Sequence, residues 1–556
     1  MRKFKYIDHI LLVVILILIN ILGTYYFFRI DLTVDKRYSI SNESKQLVSS
    51  IEDIIYFKIY LDGELPLEYK KLKNEIIYIL DELRVHSKLI EYEFIDPTAI
   101  DNEQYRLSLQ KELYEKGISP IPHRSYDTNK MEEFFIFPGV IATYQSKENT
   151  INIINETLMN NPDLVIRESA EKLEYLFTNS IRTLITQKKQ KIGLINGHGE
   201  ITNNKISSFK ELISEHYQLI DISINEKLSS LDEMDCIIIN NPSLRFSEKD
   251  KFIIDQFIMK GGKSIWILNG TNANMDSLEA QSETLILESN DKNINDLLFK
   301  YGVRINTNIL QDLQAAPIPV VTNYIDNKPQ WNFFPWVFFP VISPNSIEHI
   351  INYKINPIKL QFPSSIDTIR NKTKKTILLK TSQYTKVSTT PTLINLESLK
   401  NKPNKTQFNS GEKNAAILLS GYFESLFKNR ISPIISNNTE INFKDYISDN
   451  KMIIISDGYF IENQFFKGQN LPIGFDKHTG TQYGNDYFIL NAIDYLLDNH
   501  NFIKIRSKNI KLRLLNKAEI ENRKKYWQIF NLITPLFLLL IIGTMIFILR
   551  ERKYKN

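Results

Sequence analysis

The stretch Lys191-Ile192-Gly193-Leu194-Ile195-Asn196-Gly197-His198-Gly199-Glu200 decides the fold. Its first half is a short apolar run ending in turn residues, the pattern of a buried strand. Its second half places a histidine and a glutamate beside two glycines. Downstream, the spacing predicts a helix over 204–217 and strands over 219–224 and 235–240, the second ending in Asn241-Pro242. A helix over 247–260 follows, stopped by Gly261-Gly262, and then a strand over 263–268. Helices alternating with apolar strands predict a parallel, doubly wound sheet. Gly- or Asn-rich turns at strand carboxyl ends are where such sheets hold ligands. The pattern resumes with strands over 375–380, 415–421 and 451–456, the last ending at Asp457-Gly458. Gly484-Asn485-Asp486 then opens a helix over 487–498. These pieces are expected to complete the same sheet. Residues 271–373 and 382–414 are expected to be irregular, with the polar stretch 386–410 a mobile insertion.

Upstream, Ser41 with Glu43 in the first turn reads as the cap of a helix over 42–51. A strand over 54–61 comes next, then an amphipathic helix over 67–86 with Leu72, Ile76, Ile79, Leu80 and Leu83 at helical spacing. A second strand covers 89–95 and a helix 102–115. A hairpin (134–144 with 150–154) and a closing helix over 167–187 complete the unit. That order is thioredoxin-like and assigns residues 31–188 to one domain. No redox Cys-x-x-Cys is present, so such a domain would bind or scaffold.

The ends of the chain are apolar. Ile10–Phe28 carries one Asn and no charge behind a basic head at residues 1–9, long enough for a bilayer's hydrocarbon core. It ends in Tyr25-Tyr26-Phe27-Phe28-Arg29, an interfacial anchor where a signal peptide would need small residues. Ile529–Leu549 is a second such run, and Arg550, Arg552, Lys553 and Lys555 follow in the tail 550–556. The expectation is two transmembrane helices with both termini cytoplasmic and the bulk periplasmic. Residues 189–500 would form the second α/β domain and residues 501–528 a polar stalk.

At 556 residues the chain exceeds one ordinary domain. With 24% charged and 43% hydrophobic residues, it has globular composition. A net charge of +4 at this length makes no case for nucleic acid. The lone cysteine, Cys236, rules out an intramolecular disulfide framework and a Cys-based zinc cluster, and its apolar neighbours make it a small buried hydrophobe.

Gly197-His198-Gly199-Glu200 is the most site-like stretch: a strand-end turn able to bind an anion or place an acid–base pair. The plain alternative is that the glycines supply positive φ and the histidine packs locally. No second His, Cys or Ser nucleophile motif accompanies it. Gly261-Gly262-Lys263-Ser264 looks like the tail of a phosphate-binding loop, but Phe257 stands where the motif needs glycine, and a helix precedes it where a strand should. The chain is therefore not read as an ATPase. His123, His216, His349, His478 and His500 have no metal-ligand spacing. The aromatic run Trp331-Asn332-Phe333-Phe334-Pro335-Trp336-Val337-Phe338-Phe339-Pro340 is either core or an irregular partner or membrane surface, since two prolines disfavour a regular element.

Taken with Asp31-Leu32-Thr33, Tyr38-Ser39-Ile40-Ser41, Lys260-Gly261-Gly262-Lys263, Tyr301-Gly302-Val303-Arg304, Gln311-Asp312-Leu313 and Gly484-Asn485-Asp486-Tyr487, these segments in this order give the whole chain a resemblance to the GldG family of gliding-motility ABC transporter auxiliary, substrate-binding components. The resemblance implies an inner-membrane protein working with separate ABC permease and ATPase subunits. It also implies a glutamine-amidotransferase-like fold for the middle unit, here without the catalytic cysteine. No catalytic residue, metal or cofactor is carried over. The expectation is a non-enzymatic subunit whose ligand or partner surface lies at Gly197, His198, Gly199, Glu200, Trp331, Phe333, Phe334 and Trp336. The alternatives are a periplasmic hydrolase using His198 and Glu200, or an envelope scaffold.

Overall fold

The computed structural model describes residues 11–15, 39–127, 130–154, 162–186, 189–201, 203–325, 328–344, 347–353, 355–432, 441–497, 503–506 and 517–554. Apart from residues 11–15, which are helical, the expected first span lies outside the described residues, as do residues 501–502 and 507–516 of the expected stalk.

Helix α1 (Asn42–Ser49) starts at Ser41, whose side chain accepts from the Ser44 amide. The buried Glu174 carboxylate takes the Ser41 amide and the Ser44 hydroxyl, both at 2.7 Å, pinning that start. Strand β1 (Ile55–Ile59), helix α2 (Leu67–His86), strand β2 (Ile90–Phe94) and helix α3 (Glu103–Glu115) follow, close to the sequence expectation. Next come β3 (Ile121–Asp127), β4 (Lys130–Ile136), β5 (Gly139–Tyr144), β6 (Lys147–Asn152) and the long α4 (Pro162–Ile185). The sheet order is β2-β1-β5-β6, with β2 parallel and β5 antiparallel to β1. Alternate residues of β1, Ile55, Phe57 and Ile59, pack with Leu72, Ile76 and Leu80 of α2 and Phe177 of α4. The sequence expectation ran Phe134–Tyr144 as one strand; instead Phe134–Ile136 ends the separate β3–β4 hairpin. Pro138 lacks an amide donor and Gly139 breaks the run, so the chain turns there into a second hairpin.

The second unit contains β7 (Lys191–Asn196), α5 (Ser207–His216), β8 (Gln218–Ser223), β9 (Cys236–Asn240), α6 (Glu248–Met259), β10 (Lys263–Ile267) and α7 (Asn295–Tyr301). Strands β11 (Asn308–Asp312), β12 (Ala315–Ile325), β13 (Lys328–Ile342), β14 (Lys374–Lys380), β15 (Thr385–Thr389), β16 (Asn414–Glu424) and β17 (Tyr446–Ile455) precede α8 (Asn485–Leu497). Seven strands form one sheet in the order β14-β16-β17-β10-β9-β7-β8. From β17 to β8 every pairing is parallel, while at one edge β16 runs antiparallel to both its neighbours, β17 and β14. Leu194, Ile238 and Ile265 face α5 and α8, whereas Ile195, Ile237 and Trp266 face α6 and α7. Successive residues of one strand therefore bury on opposite faces.

Two expectations are corrected. The stretch 386–410 contains ordered strand: β15 pairs with β11, and Thr392–Asn395 pairs with Glu283–Ile286. In these short strands Thr, Ser and Asn stand beside Val387, Leu393 and Ile394, and the ladder supplies order that the polar composition of the stretch hides. The aromatic run is also not irregular. It lies in β13, paired with β12, and β-bulges beside Pro317 and Thr322 absorb the register shifts.

At the C-terminus, one helix, α9 (Lys517–Tyr554), runs 38 residues with a single non-helical residue, Arg523. Its segment Tyr526–Arg552 is long and apolar enough to cross a membrane and is not buried by any of the described residues. Tyr526, Trp527 and Phe530 cluster at one end, and Arg550, Arg552 and Lys553 lie at the other.

Candidate functional site

Reading the parallel strands in chain order, β8 lies on one side of β7, while β9, β10 and β17 lie on the other. The direction of winding reverses between β7 and β9, and the crevice at their carboxyl ends is the place where doubly wound sheets receive ligands. Gly197–Glu200 leaves β7 at that point.

The turn's geometry depends on its glycines. Gly197 has φ +115° and Gly199 φ +72°, and a Cβ on Gly199 would lie 2.1 Å from Ser243 Oγ. The loop after β9 closes over it: the Ser243 and Leu244 amides donate to the His198 carbonyl at 3.0 and 2.7 Å, and Ser243 Oγ donates to the Gly199 carbonyl at 3.0 Å. The same loop delivers Phe246, whose ring stacks on the His198 imidazole at 3.7 Å between centroids. It ends at Ser247, which caps α6 by accepting from the Asp250 amide. That cap fixes Asp250 in the first turn of α6, pointing back at the histidine.

His198 is thus held at both ring nitrogens. Nδ1 lies 3.3 Å from Glu200 Oε1, and Nε2 lies 3.2 Å from Asp250 Oδ2. Glu200 Oε2 also accepts from the His198 amide at 2.7 Å, and Asp250 Oδ1 from the Glu226 amide at 2.9 Å. All three side chains are buried. Burial disfavours the charged imidazolium, but the hydrogen bonds and charges of Glu200 and Asp250 outweigh it and raise the histidine's pKa above its ordinary value. A cation between two carboxylates, stacked on an aromatic ring, locks a turn; as arranged, it leaves neither ring nitrogen facing an open cleft.

Farther along the same carboxyl edge lie other perturbed groups. Asp457, buried after β17, accepts from the Gln361 and Tyr459 amides, and burial pushes it up to about 7. Glu462 is likewise raised by burial to about 7, against the pull of Lys205. Lys292, buried, donates to the Asn269 carbonyl at 2.8 Å and is pushed down to about 8 by desolvation. Asn269 Oδ1 in turn accepts from the Gly458 amide. Among the described residues no group of His, Cys, Asp and Glu has the arrangement to hold a metal ion. Cys236 is buried mid-sheet with its thiol pKa raised by desolvation, the environment of an inert cysteine.

The aromatic candidates divide. Trp336 is 1% exposed and packs with Phe338, Phe339 and Phe362 in a core of its own. Phe334 is half-buried, while Trp331 and Phe333 are 55% and 47% exposed. The last two sit two residues apart on one face of the β12–β13 ribbon, opposite Val321 and Pro319. The structure therefore brings Gly197, His198, Gly199 and Glu200 into one cluster and leaves Trp331 and Phe333 as a separate apolar face. Sequence reading missed Asp250 and Phe246. The Ser247-x-x-Asp250 cap signature was the available clue to the first, and nothing local signalled the second.

Together these features define a membrane-associated α/β protein whose switch-point crevice is closed by its own side chains. Residues 189–492 match the family described as "ABC-type uncharacterized transport system", and residues 34–143 match a domain of unknown function (DUF7088). The chain belongs to that ABC-type transport auxiliary family, which gives it a transport-associated auxiliary role and an association with transporter subunits. It is 24% identical over 537 residues to an uncharacterized protein of Borreliella burgdorferi, covering 95% of this chain and 94% of that one. Among solved structures it is similar to the mmIFT52 N-terminal domain at a TM-score of 0.32 and 11% identity, over 56% of this chain and 98% of that one. It is also similar to the exo-beta-1,4-mannosidase Op5Man5 of an Opitutaceae bacterium, at a TM-score of 0.20 and 8% identity over 77% and 50%.

Proposed function

We propose that the chain is a non-enzymatic, membrane-anchored subunit of an ABC transporter that recognises partner proteins rather than turning over a substrate. The observation that carries this reading is the occupied switch point: the chain's own His198, Glu200, Asp250 and Phe246 fill the place where a doubly wound domain would hold ligand. Two features support it. The exposed Trp331–Phe333 face is an apolar surface of the kind protein interfaces use, and the apolar helix at the C-terminus suits attachment beside a permease. In this reading the first unit is a thioredoxin-like scaffold without redox cysteines and the second an amidotransferase-like domain without its nucleophile. Both ends cross the membrane with cytoplasmic tails, the aromatic Tyr526-Trp527 marking the far interface and Arg550, Arg552 and Lys553 the near one. The partners are an ABC permease and its ATPase, and the GldG-like motifs make gliding motility one process such a complex would serve.

The test is affinity purification of the full chain from native membranes. Wild type should recover a permease and an ATPase, and Trp331→Glu with Phe333→Glu should lose them while leaving the chain in the membrane. A chain that purifies alone, or a double variant that keeps both partners, overturns the reading.

A further inference from the structure

A groove lies beside α7, apart from the His198 turn. A cavity of about 530 Å³ opens there, within the range of ligand pockets, between α7 and the segment after β16. Its floor is apolar: Leu426 is buried, Ile305 partly so, and Phe299 stands at the mouth half exposed. Its rim is cationic, with Lys300, Arg304 and Arg430 lining it.

The charges around this groove do not balance. Glu424 is shared by two lysines, Lys300 and Lys428, each at 2.6 Å, which hold its carboxyl down at about 2. Arg304 gives Nη2 to Asp367 at 2.9 Å and Nε to Asn306 at 3.1 Å, and its side chain remains 58% exposed. Arg430 is exposed and makes no ion pair among the described residues. Asp296, also on the rim, is engaged by the buried Lys251 at 3.0 Å and offers the groove little negative charge. Of the charged residues lining the groove, three are cations, Lys300, Arg304 and Arg430, and one is an acid, Asp296. Guanidinium groups with free N–H donors over an apolar floor suit a carboxylate flanked by an aliphatic or aromatic side chain.

We propose that this groove binds an acidic peptide segment of a partner protein, with its carboxylates on Arg304 and Arg430 and an apolar side chain against Phe299 and Leu426. The proposal goes beyond the functional reading above, since it concerns neither the switch point nor the Trp331 face. Peptide is favoured over nucleic acid because the groove is small, has Asp296, Asp367 and Glu424 as acidic neighbours, and sits in a chain whose net charge is only +4.

The experiment measures fluorescence anisotropy of a short fluorescein-labelled peptide alternating glutamate and leucine against the full chain in detergent. The glutamate peptide should bind, and the matched glutamine peptide should bind at least about tenfold more weakly. Arg304→Gln and Arg430→Gln should each weaken binding several-fold and together abolish it, Phe299→Ala should weaken it several-fold, and Trp331→Glu should leave it unchanged. Unchanged melting temperatures of these surface variants confirm that they fold. Equal binding of the two peptides, retained binding by the double arginine variant, or equal displacement by inorganic phosphate or a single-stranded oligonucleotide would overturn the proposal. Because Trp331→Glu is silent here, failure of this site and failure of the transporter reading are separable.

Discussion

Removing His198 should destabilise the second unit substantially and in a pH-dependent way. His198→Ala leaves Glu200 and Asp250 buried and facing each other across the space the imidazole filled, where they now sit at 3.3 and 3.2 Å from its nitrogens. Taking one member out of a buried, hydrogen-bonded charge cluster costs about 3–5 kcal/mol, chiefly through the carboxylates left behind. Loss of the Phe246 stack adds about 0.5–1.5 kcal/mol. For a unit of this size that corresponds to a melting temperature lower by roughly 10 °C. The pH dependence has a definite sign. The folded-state pKa of His198 lies above its unfolded value, so its contribution is fully present below the ordinary histidine pKa of about 6.5 and is lost as pH rises through the folded value. The gap between wild type and variant should therefore be widest in mild acid, just below the ordinary histidine value of about 6.5, and narrow toward alkaline pH as the imidazole loses its proton. Thermal unfolding of the full chain in detergent, followed by tryptophan fluorescence in mild acid and at alkaline pH, measures both quantities, because Trp266 is fully buried over α6 and Trp336 in the adjoining core. Hydrogen exchange localises the damage: the Ser243 and Leu244 amides, which donate to His198, should lose protection first. A variant melting within about 2 °C of wild type, or a gap that widens with pH, would refute the lock.

Other expectations concern the same edge and the aromatic ribbon. Asp457 and Glu462 are both raised to about 7, so each stabilises the fold when protonated, and that benefit is lost as pH rises from about 4 through 7. Mild acidification should raise the melting temperature, and Glu462→Gln should flatten the slope by about one proton in a pH series of unfolding curves. Gly199→Ala should cost about 2 kcal/mol or more from positive φ and the clash with Ser243 Oγ, and Ser243→Gly should recover only the clash part in a double-mutant cycle. Trp336→Ala should cost about 3–5 kcal/mol by denaturant unfolding, while Trp331→Ala should stay within about 0.5 kcal/mol, although the two lie on the same strand.

The sheet was legible because its strands are bounded apolar runs: Lys191–Asn196 and Cys236–Asn240 carry their burial in their own composition, and Ser41, Ser247 and Gly261 mark helix ends by local chemistry. The order of strands was not legible. Whether β7 sits beside β8 or β9 depends on long-range pairing, so placing the His198 turn at the switch point required the fold. The aromatic ribbon was misread because prolines forbid ladder donors only where a donor is needed. Pro335 and Pro317 face each other across the two strands, and bulges take up the mismatch. Asp250 and Phe246 were invisible as site residues because their role comes from a loop folding back over a turn some fifty residues earlier in the chain, as the separation of 52 between His198 and Asp250 records.

The same energies bear on where recognition can occur. To admit a ligand at the switch point, the chain must part His198 from at least one carboxylate, at about 3–5 kcal/mol, and release the Ser243 and Leu244 amides, at about 1 kcal/mol each. An open state about 5 kcal/mol above the ground state is populated at roughly one part in several thousand, so a ligand's apparent affinity would fall by that factor. The Trp331–Phe333 face and the groove beside α7 carry no such cost: Trp331, Phe333, Phe299, Arg304 and Arg430 are exposed as the chain stands. On the reading proposed above, a carboxyl edge closed from within holds its own shape, and partners grip the apolar and cationic surfaces left outside. That division favours protein recognition over capture of a small molecule in the sheet.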